Sequence, residues 1–467
     1  MKHSLSITLL AAAAMTVATG CHKEKMHENP FLAEYTTEYG IPPFDQITYD
    51  DYLPALKAGI EQQNEEIKTI TENDSTPTFD NTILALEHSG AILDRVLPVF
   101  YALEESNSSD EMVEIGEQFH QLYQAHADEL MMNDALFGRV KHLYDNRDSL
   151  GLAPDQRLLV EKTYKDFVRN GALLSDADKE KLKAVNAELT DLYNAFNKNL
   201  LKATNAFAVV IDNKEDLAGL PAGTVAVAAE EAASRGMEGK WVFTLHAPSR
   251  LPVLQFAQNR DLRRRIYEGY TTQATEGENN NLPVINKILK ARSQKAALLG
   301  FKDFGSYMTD NVMAGTTQAA EDLLMQIWKP AVAKVKEEVA EMQAIVDAEG
   351  GDFKIQPYDY YYYAEKVRQK KYDFDESQVS AYFPVDSVRL GIFGMAERLY
   401  GVKFTEMKDA PKYYDEVNVY DVTDAATGEH VAVFMTDYYT RPSKRQGAWM
   451  SEFKGSCTNE DGTSSRP

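Results

Sequence analysis

Apolar residues spaced three and four apart recur along most of this chain, a period that suits packed helices and little else. Ile83, Leu86, Gly90, Leu93, Leu97 and Phe100 trace one helix face. Leu182, Val185, Leu189, Leu192, Phe196 and Leu200 trace another, with Ser175 and Asp178 placed as a capping box ahead of it. A third stripe runs through Leu324, Ile327, Val332, Val335, Val339, Met342 and Val346; Pro330 is expected to kink or break it and Gly350-Gly351 to end it. Each stripe reads first as a core face. Strand signals are few. Residues 207–211 and 241–245 flank a Gly/Pro-containing stretch at 219–223, and 418–422 with 431–436 bracket 424–428 as a hairpin. The fold class expected is mainly α, a large helical lobe with small β insertions, and 467 residues at 44% apolar supply ample material for its core.

Lys2 and His3, an apolar run over 9–17 and Ala18-Thr19-Gly20 form a secretory signal over residues 1–20. The run is too short to persist as a membrane-spanning helix. Cys21, directly after small residues, resembles a bacterial lipoprotein cleavage site whose Cys becomes lipidated, although Ala18 stands where Leu is commoner. On that pattern Cys21 is the membrane anchor, residues 21–28 are a polar tether, and the protein sits in a bacterial cell envelope, on the periplasmic side or at the outer membrane. Cys457 is then the remaining thiol and cannot close an internal disulfide. A formal charge of -23, from 49 basic and 72 acidic residues, repels phosphate backbones and argues against nucleic-acid partners.

Catalytic spacings are absent. The sequence has no Gly-x-Ser-x-Gly elbow, no phosphate-binding Gly loop, and no His-x-x-x-His pair among its nine His. His120 and His126, six apart, project from different sides of a helix, and alternation separates His430 from Glu429. The 25 Tyr residues could grip peptides, but packing is their ordinary use.

Several short stretches carry more information in their order. Asn29-Pro-Phe31, Ile41-Pro-Pro-Phe-Asp45, Pro54-Ala55 and Pro77-Thr-Phe-Asp-Asn-Thr82 come first. Asn259-Arg-Asp-Leu-Arg263, Arg292 with Ala296-Ala-Leu-Leu-Gly300, Met313-Ala314, Tyr382-Phe-Pro384, Gly391-Ile-Phe393 and Leu399-Tyr-Gly401 follow. Asp437-Tyr-Tyr-Thr-Arg441 and Lys444-Arg-Gln-Gly-Ala-Trp449 close the series, which spans nearly the whole mature chain. It resembles the thimet oligopeptidase and peptidyl-dipeptidase family of zinc metallopeptidases; Tyr358 stands where relatives often have Trp.

The resemblance implies the first part of a two-lobed, channel-forming peptidase. Residues 29–250 would be the N-terminal helical lobe, and 251–467 an incomplete catalytic domain lacking the zinc-binding segment. The family's His-Glu-x-x-His helix, with two zinc ligands and a general base, is not found, so this chain carries no catalytic or metal residues and is expected to be inactive alone. Zinc is expected in a full-length, monomeric parent that removes C-terminal dipeptides from short peptides. The alternatives are an oligopeptide endopeptidase of the same family and a non-catalytic peptide-binding lipoprotein. Gly447 and Ala448 are the substrate-binding candidates, because the family's active-site channel borders this neighbourhood and their bare backbone could pair with an extended peptide. The nearby cluster of Asp437, Arg441, Lys444 and Arg445 reads by default as a solvated face. A lobe without its other half should also leave apolar surface uncovered.

Overall fold

The computed structural model describes residues 27–373, 379, 381–458 and 463–467. The signal over 1–20, the lipidation candidate Cys21 and the tether up to residue 26 lie outside the described residues. The tether's last residues do not trail free: His27 Nε2 lies 2.8 Å from Oδ1 of the buried Asp51.

Helix α1 (Tyr49–Thr71) begins where Thr48 and Asp51 cap each other, the Thr48 N–H donating to Asp51 Oδ2 at 2.8 Å. It packs with α2 (Ala91–Ser106) and α3 (Asp110–Met131) around Phe31, Tyr52, Leu56, Phe100 and Phe119. Phe100 and Phe119 stack with ring centroids 3.8 Å apart. Val417 and Val419, more than three hundred residues later, complete the same core. The stripe from Ile83 to Phe100 is therefore not one helix. Thr78 and Asn81 cap a short turn at Phe79–Leu84, and the path breaks at Gly90, whose φ of +88° suits a residue without Cβ. Helices α4 (Asp134–Asn146) and α5 (Pro154–Arg169) build a second core on Phe137, Leu143 and Phe167.

Helix α6 (Asp176–Ala206) starts at the Ser175 cap, whose hydroxyl accepts from Asp178 N at 3.3 Å. Its Leu189 and Leu192 pack on Ile288 and Ala291 of a later helix, α10 (Leu282–Leu298). Between them, β1 (Val209–Ile211) pairs antiparallel with β2 (Trp241–Phe243), as the β-rich runs predict. This ribbon shares a core with α7 (Ala222–Ser234), α8 (Ala247–Phe256) and α9 (Arg260–Thr271). Residue 250, the boundary expected from sequence, lies inside α8.

Helices α11 (Phe304–Thr309), α12 (Thr317–Ala348) and α13 (Tyr360–Tyr372) follow. α13 is tied to α9 through fully buried Asp359. Arg260 grips the Asp359 carboxylate bidentately at 3.0 and 2.8 Å, and buried Arg263 adds a bond of 2.9 Å. Arg263 also donates to Ala257 O at 2.7 Å and lies 4.2 Å from the Tyr362 ring centre. Helix α14 (Val385–Tyr400) lies on a sheet of order β3-β4-β5, formed by Val402–Glu406, Asn418–Asp424 and His430–Thr436. The hairpin is as expected; β3 carried no strand signal that set it apart, and it is held by pairing with β4.

Neither a break at Pro330 nor a continuous core face is found on the third stripe. α12 runs through Pro330 unbroken, and its solvent position lets water satisfy the carbonyl that the proline leaves unbonded. Only its later half is a core face: Met342 and Val346 are buried with Tyr363, whereas Leu324, Ile327 and Trp328 are 66%, 60% and 63% exposed. α14 has no buried residue.

Candidate functional site

The end of α2, the start of α3, the second half of α6 and the segment 443–446 enclose a cleft of about 540 Å³. Val113, Leu200 and Leu201 give it apolar walls, while His246 and Tyr270 close its far end. Ser109 caps α3 by accepting from Met112 N at 3.0 Å, which aims the first turn of α3 along the cleft. Gly116 leaves room for the Glu104 carboxylate, since a Cβ there would lie 2.8 Å from Oε1. Polar bonds join the walls. Lys198 of α6 donates to Glu117 of α3 at 2.7 Å, and Arg445 to Glu105 of α2 at 2.5 Å. The backbone does likewise: Ser108 N donates to Ser443 O at 2.7 Å and Arg445 N to Glu105 O at 2.8 Å.

Within the 437–445 cluster, Asp437, Arg441 and Lys444 form a lock rather than a solvated face, while Arg445 stays exposed. Arg441 is buried, forks onto Asp437 at 2.8 and 2.7 Å, and donates to Ser106 O at the end of α2. Lys444 Nζ lies 3.0 Å from Asp437 Oδ1, and the Tyr413 hydroxyl donates to Oδ2 at 3.1 Å. Burial pushes the Asp437 carboxyl up, but the bonds from Arg441 and Lys444 outweigh it and hold the group below the usual carboxylate range. Charged residues close in sequence suggested solvation, which holds for exposed Arg445; buried Arg441 meets Ser106 O, a contact that no local pattern reveals.

This lock presents Gln446, on the cleft rim, and then Gly447 and Ala448. Both are exposed, and among the described residues no backbone hydrogen bond engages either. Gly447 adopts φ +119°, a left-handed conformation that favours glycine, and an added Cβ would meet open space. Its role is backbone shape, not close packing beside Trp449. Trp449 instead stacks under the Arg445 guanidinium at 4.7 Å.

His120, set aside in the sequence as a metal ligand, lies behind the cleft wall. Its Nε2 is 3.1 Å from Glu104 Oε2 and its Nδ1 2.7 Å from Asn194 Oδ1. Both ring nitrogens are thus engaged, and the Glu104 carboxylate favours the protonated ring. Burial pushes the imidazole pKa down, but the Glu104 hydrogen bond and charge, with Asn194, outweigh burial and raise it. A raised folded-state value adds stability that is complete below the unfolded pKa of about 6.5 and fades as pH rises through the folded value. Urea melts should therefore show the wild type losing stability relative to His120→Gln as pH increases above about 6.5. Parallel pH curves for the two proteins would refute the assignment. His126 instead bonds Gln63 at 2.6 Å, and His430 bonds Asp421 at 2.7 Å under Tyr39.

Among the described residues no group of three or more His, Cys, Asp or Glu converges as a metal site. Residues 253–467 match the model described as Peptidase family M3. Dipeptidyl carboxypeptidase of Escherichia coli (strain K12) is 37% identical over 427 residues, which are 91% of this chain and 63% of that protein. Oligopeptidase A of Salmonella typhimurium is 28% identical over 444 residues, 94% of this chain and 64% of its own length. Probable cytosolic oligopeptidase A of Arabidopsis thaliana is 30% identical over 447 residues, covering 92% of this chain and 62% of that protein. The chain thus spans less than two thirds of the length of these relatives. With the ordered motifs, the mainly helical fold and these matches, the chain belongs to peptidase family M3.

Proposed function

We propose that this chain forms the peptide-binding part of a zinc-dependent peptidyl-dipeptidase that removes C-terminal dipeptides from short peptides. The observation that carries the reading is the cleft: a partly apolar groove about 540 Å³ in volume, with the exposed Gly447-Ala448 backbone just past its rim. Apolar walls take side chains, while open backbone N–H and C=O groups can pair with an extended chain. Higher identity to a dipeptidyl carboxypeptidase, 37%, than to oligopeptidase A, 28%, favours dipeptide release over internal cleavage, which is the second reading.

The donor set described here does not fit zinc. His120 has both nitrogens committed, and no cluster of metal ligands accompanies it. No chemical step is therefore derived through the metal, and zinc is assigned to the parent protein. In our reading the chain's own residues bind and orient: the Asp437–Arg441 lock fixes the 443–448 rim against α2, and the helices supply the groove.

A labelled pentapeptide with a free C-terminus is expected to bind the 467-residue chain in fluorescence anisotropy. Gly447→Val should weaken it by about tenfold, or about 1.4 kcal/mol, because a branched side chain resists the left-handed conformation and covers the pairing backbone. Equal binding by variant and wild type would remove Gly447 from the site. In the parent, release of C-terminal dipeptides that stops with a chelator supports the assigned reaction; internal cleavage of C-terminally amidated peptides supports the second reading. A lipid on Cys21 holding the parent in a bacterial envelope belongs to the same proposal. It calls for tritiated palmitate to label the wild type but not Cys21→Ser.

A further inference from the structure

The cleft changes character along α6. Lys198 pairs with Glu117 across it, but Thr204, about 9 Å farther along the helix, bonds the amide of Gln273 instead. Leu201, Thr204, His246, Tyr270 and Gln273 line that end, and none of them carries a carboxylate, an ammonium or a guanidinium. Its parts are fixed from behind. The Arg250 guanidinium lies 3.5 Å from the Tyr270 ring centre, and Arg250 Nε donates to Leu245 O at 3.3 Å, so one face of the ring is taken. Tyr270 is still 40% exposed, which leaves its other face for a ligand. Buried Thr204 donates to Leu200 O at 2.7 Å and accepts from Gln273 Nε2, which orients the Gln273 amide. Next to it, buried Ala274 is held at φ +52°, a left-handed conformation unfavourable to any residue with a Cβ, while its carbonyl accepts from Asn281 N at 2.7 Å. Strained turns of this kind collect at ligand sites. His246 has its Nδ1 3.1 Å from the hydroxyl of buried Thr244. Burial holds this imidazole below the usual histidine range, so the ring is neutral at pH 7. Among the described residues no hydrogen bond engages His246 Nε2 or Gln273 Oε1.

We propose that this end of the cleft is a side-chain pocket for an aromatic residue of the bound peptide, tyrosine above all, with Tyr270 as the stacking platform and His246 and Gln273 meeting the phenol hydroxyl. The pocket deepens the peptide-binding reading of the cleft and rests on it. A charged side chain is disfavoured, because the pocket offers a neutral imidazole and no counter-ion. An aliphatic side chain fills the space without the ring-on-ring contact. A phenol hydroxyl both donates and accepts, so it suits the Gln273 carbonyl and the imidazole in either tautomer.

Calorimetry with unlabelled pentapeptides tests the pocket on the 467-residue chain, with no fluorophore to occupy it. Penta-alanine is compared with five peptides in which a single Phe replaces each alanine in turn, then with Tyr or Lys at the position that binds best. Expected at one position is Phe about tenfold tighter than Ala, Tyr about threefold tighter again, and Lys no better than Ala. Tyr270→Ala should remove most of the aromatic gain and leave penta-alanine binding as in the wild type, which also shows that the variant is folded. Tyr270→Phe should keep the gain, and Gln273→Leu should abolish only the margin of Tyr over Phe. Equal affinity for every peptide, or a gain that survives Tyr270→Ala, overturns the aromatic pocket and leaves the peptide-binding reading standing. Failure of every peptide to bind overturns both.

Discussion

Asp359→Ala is expected to lower the unfolding free energy by about 3–5 kcal/mol, because it strands buried positive charge. Asp359 is fully buried, and its carboxylate receives Arg260 on both oxygens and Arg263 on one. Arg263 is itself buried, and its Nη1 already donates to the Ala257 and Gln258 carbonyls, which holds the side chain in place when the partner is removed. Asp359→Asn keeps the shape and some acceptor capacity, and should cost less than alanine. Burial pushes the Asp359 carboxyl up, but the arginine bonds outweigh this and lower it. The stabilisation is accordingly full above the unfolded value of about 3.9 and lost as pH falls through the folded one. Urea melts from neutral pH downward measure both effects. A change below about 1 kcal/mol for the alanine variant would mean that the arginines find other partners.

Asp437→Ala should cost a similar amount, about 3–5 kcal/mol, and should also damage the peptide-binding rim. Without that carboxylate the buried Arg441 keeps only Ser106 O as a hydrogen-bond partner, and Lys444 and Tyr413 each lose one. Because the lock holds segment 443–448 against α2, the expected signature is faster tryptic cleavage after Lys444 or Arg445, together with weaker pentapeptide binding. Arg441→Lys tests geometry at constant charge: a single ammonium cannot fork onto both oxygens, so an intermediate loss is expected. Destabilisation with unchanged tryptic cleavage and peptide affinity would separate the lock from the rim.

Local chemistry was legible in the sequence and distant chemistry was not. The Ser175 cap, the β1–β2 ribbon and the β4–β5 hairpin all depend on residues a few positions apart, and each formed as expected. Gly90 sat on an apolar stripe, and spacing alone could not tell a helix position from a left-handed break. Pro330 pointed to a kink or a break, and the break does not occur in α12, whose half around the proline faces water. The candidate site divides in the same way. Gly447 and Ala448 were proposed from an ordered motif. The cleft beside them needs α2, α3 and α6 together, and His120 finds Glu104 and Asn194 at separations of 16 and 74 residues. No periodicity encodes such a meeting.

The core around Phe100 includes Val417 and Val419, with Phe44 also touching Phe453 at 5.3 Å between ring centres. A nascent chain emerging from the ribosome has made every helix of that first core long before it makes the residues that seal it. The early bundle must then wait, partly open, through nearly three hundred residues of synthesis, and it closes only by a long-range search. Such a chain has a late commitment point near residue 420 and exposes Phe100-side surface until then. Under the envelope location proposed above, in which the chain is threaded through a membrane unfolded, that delay is useful: a core that cannot finish early cannot jam the passage.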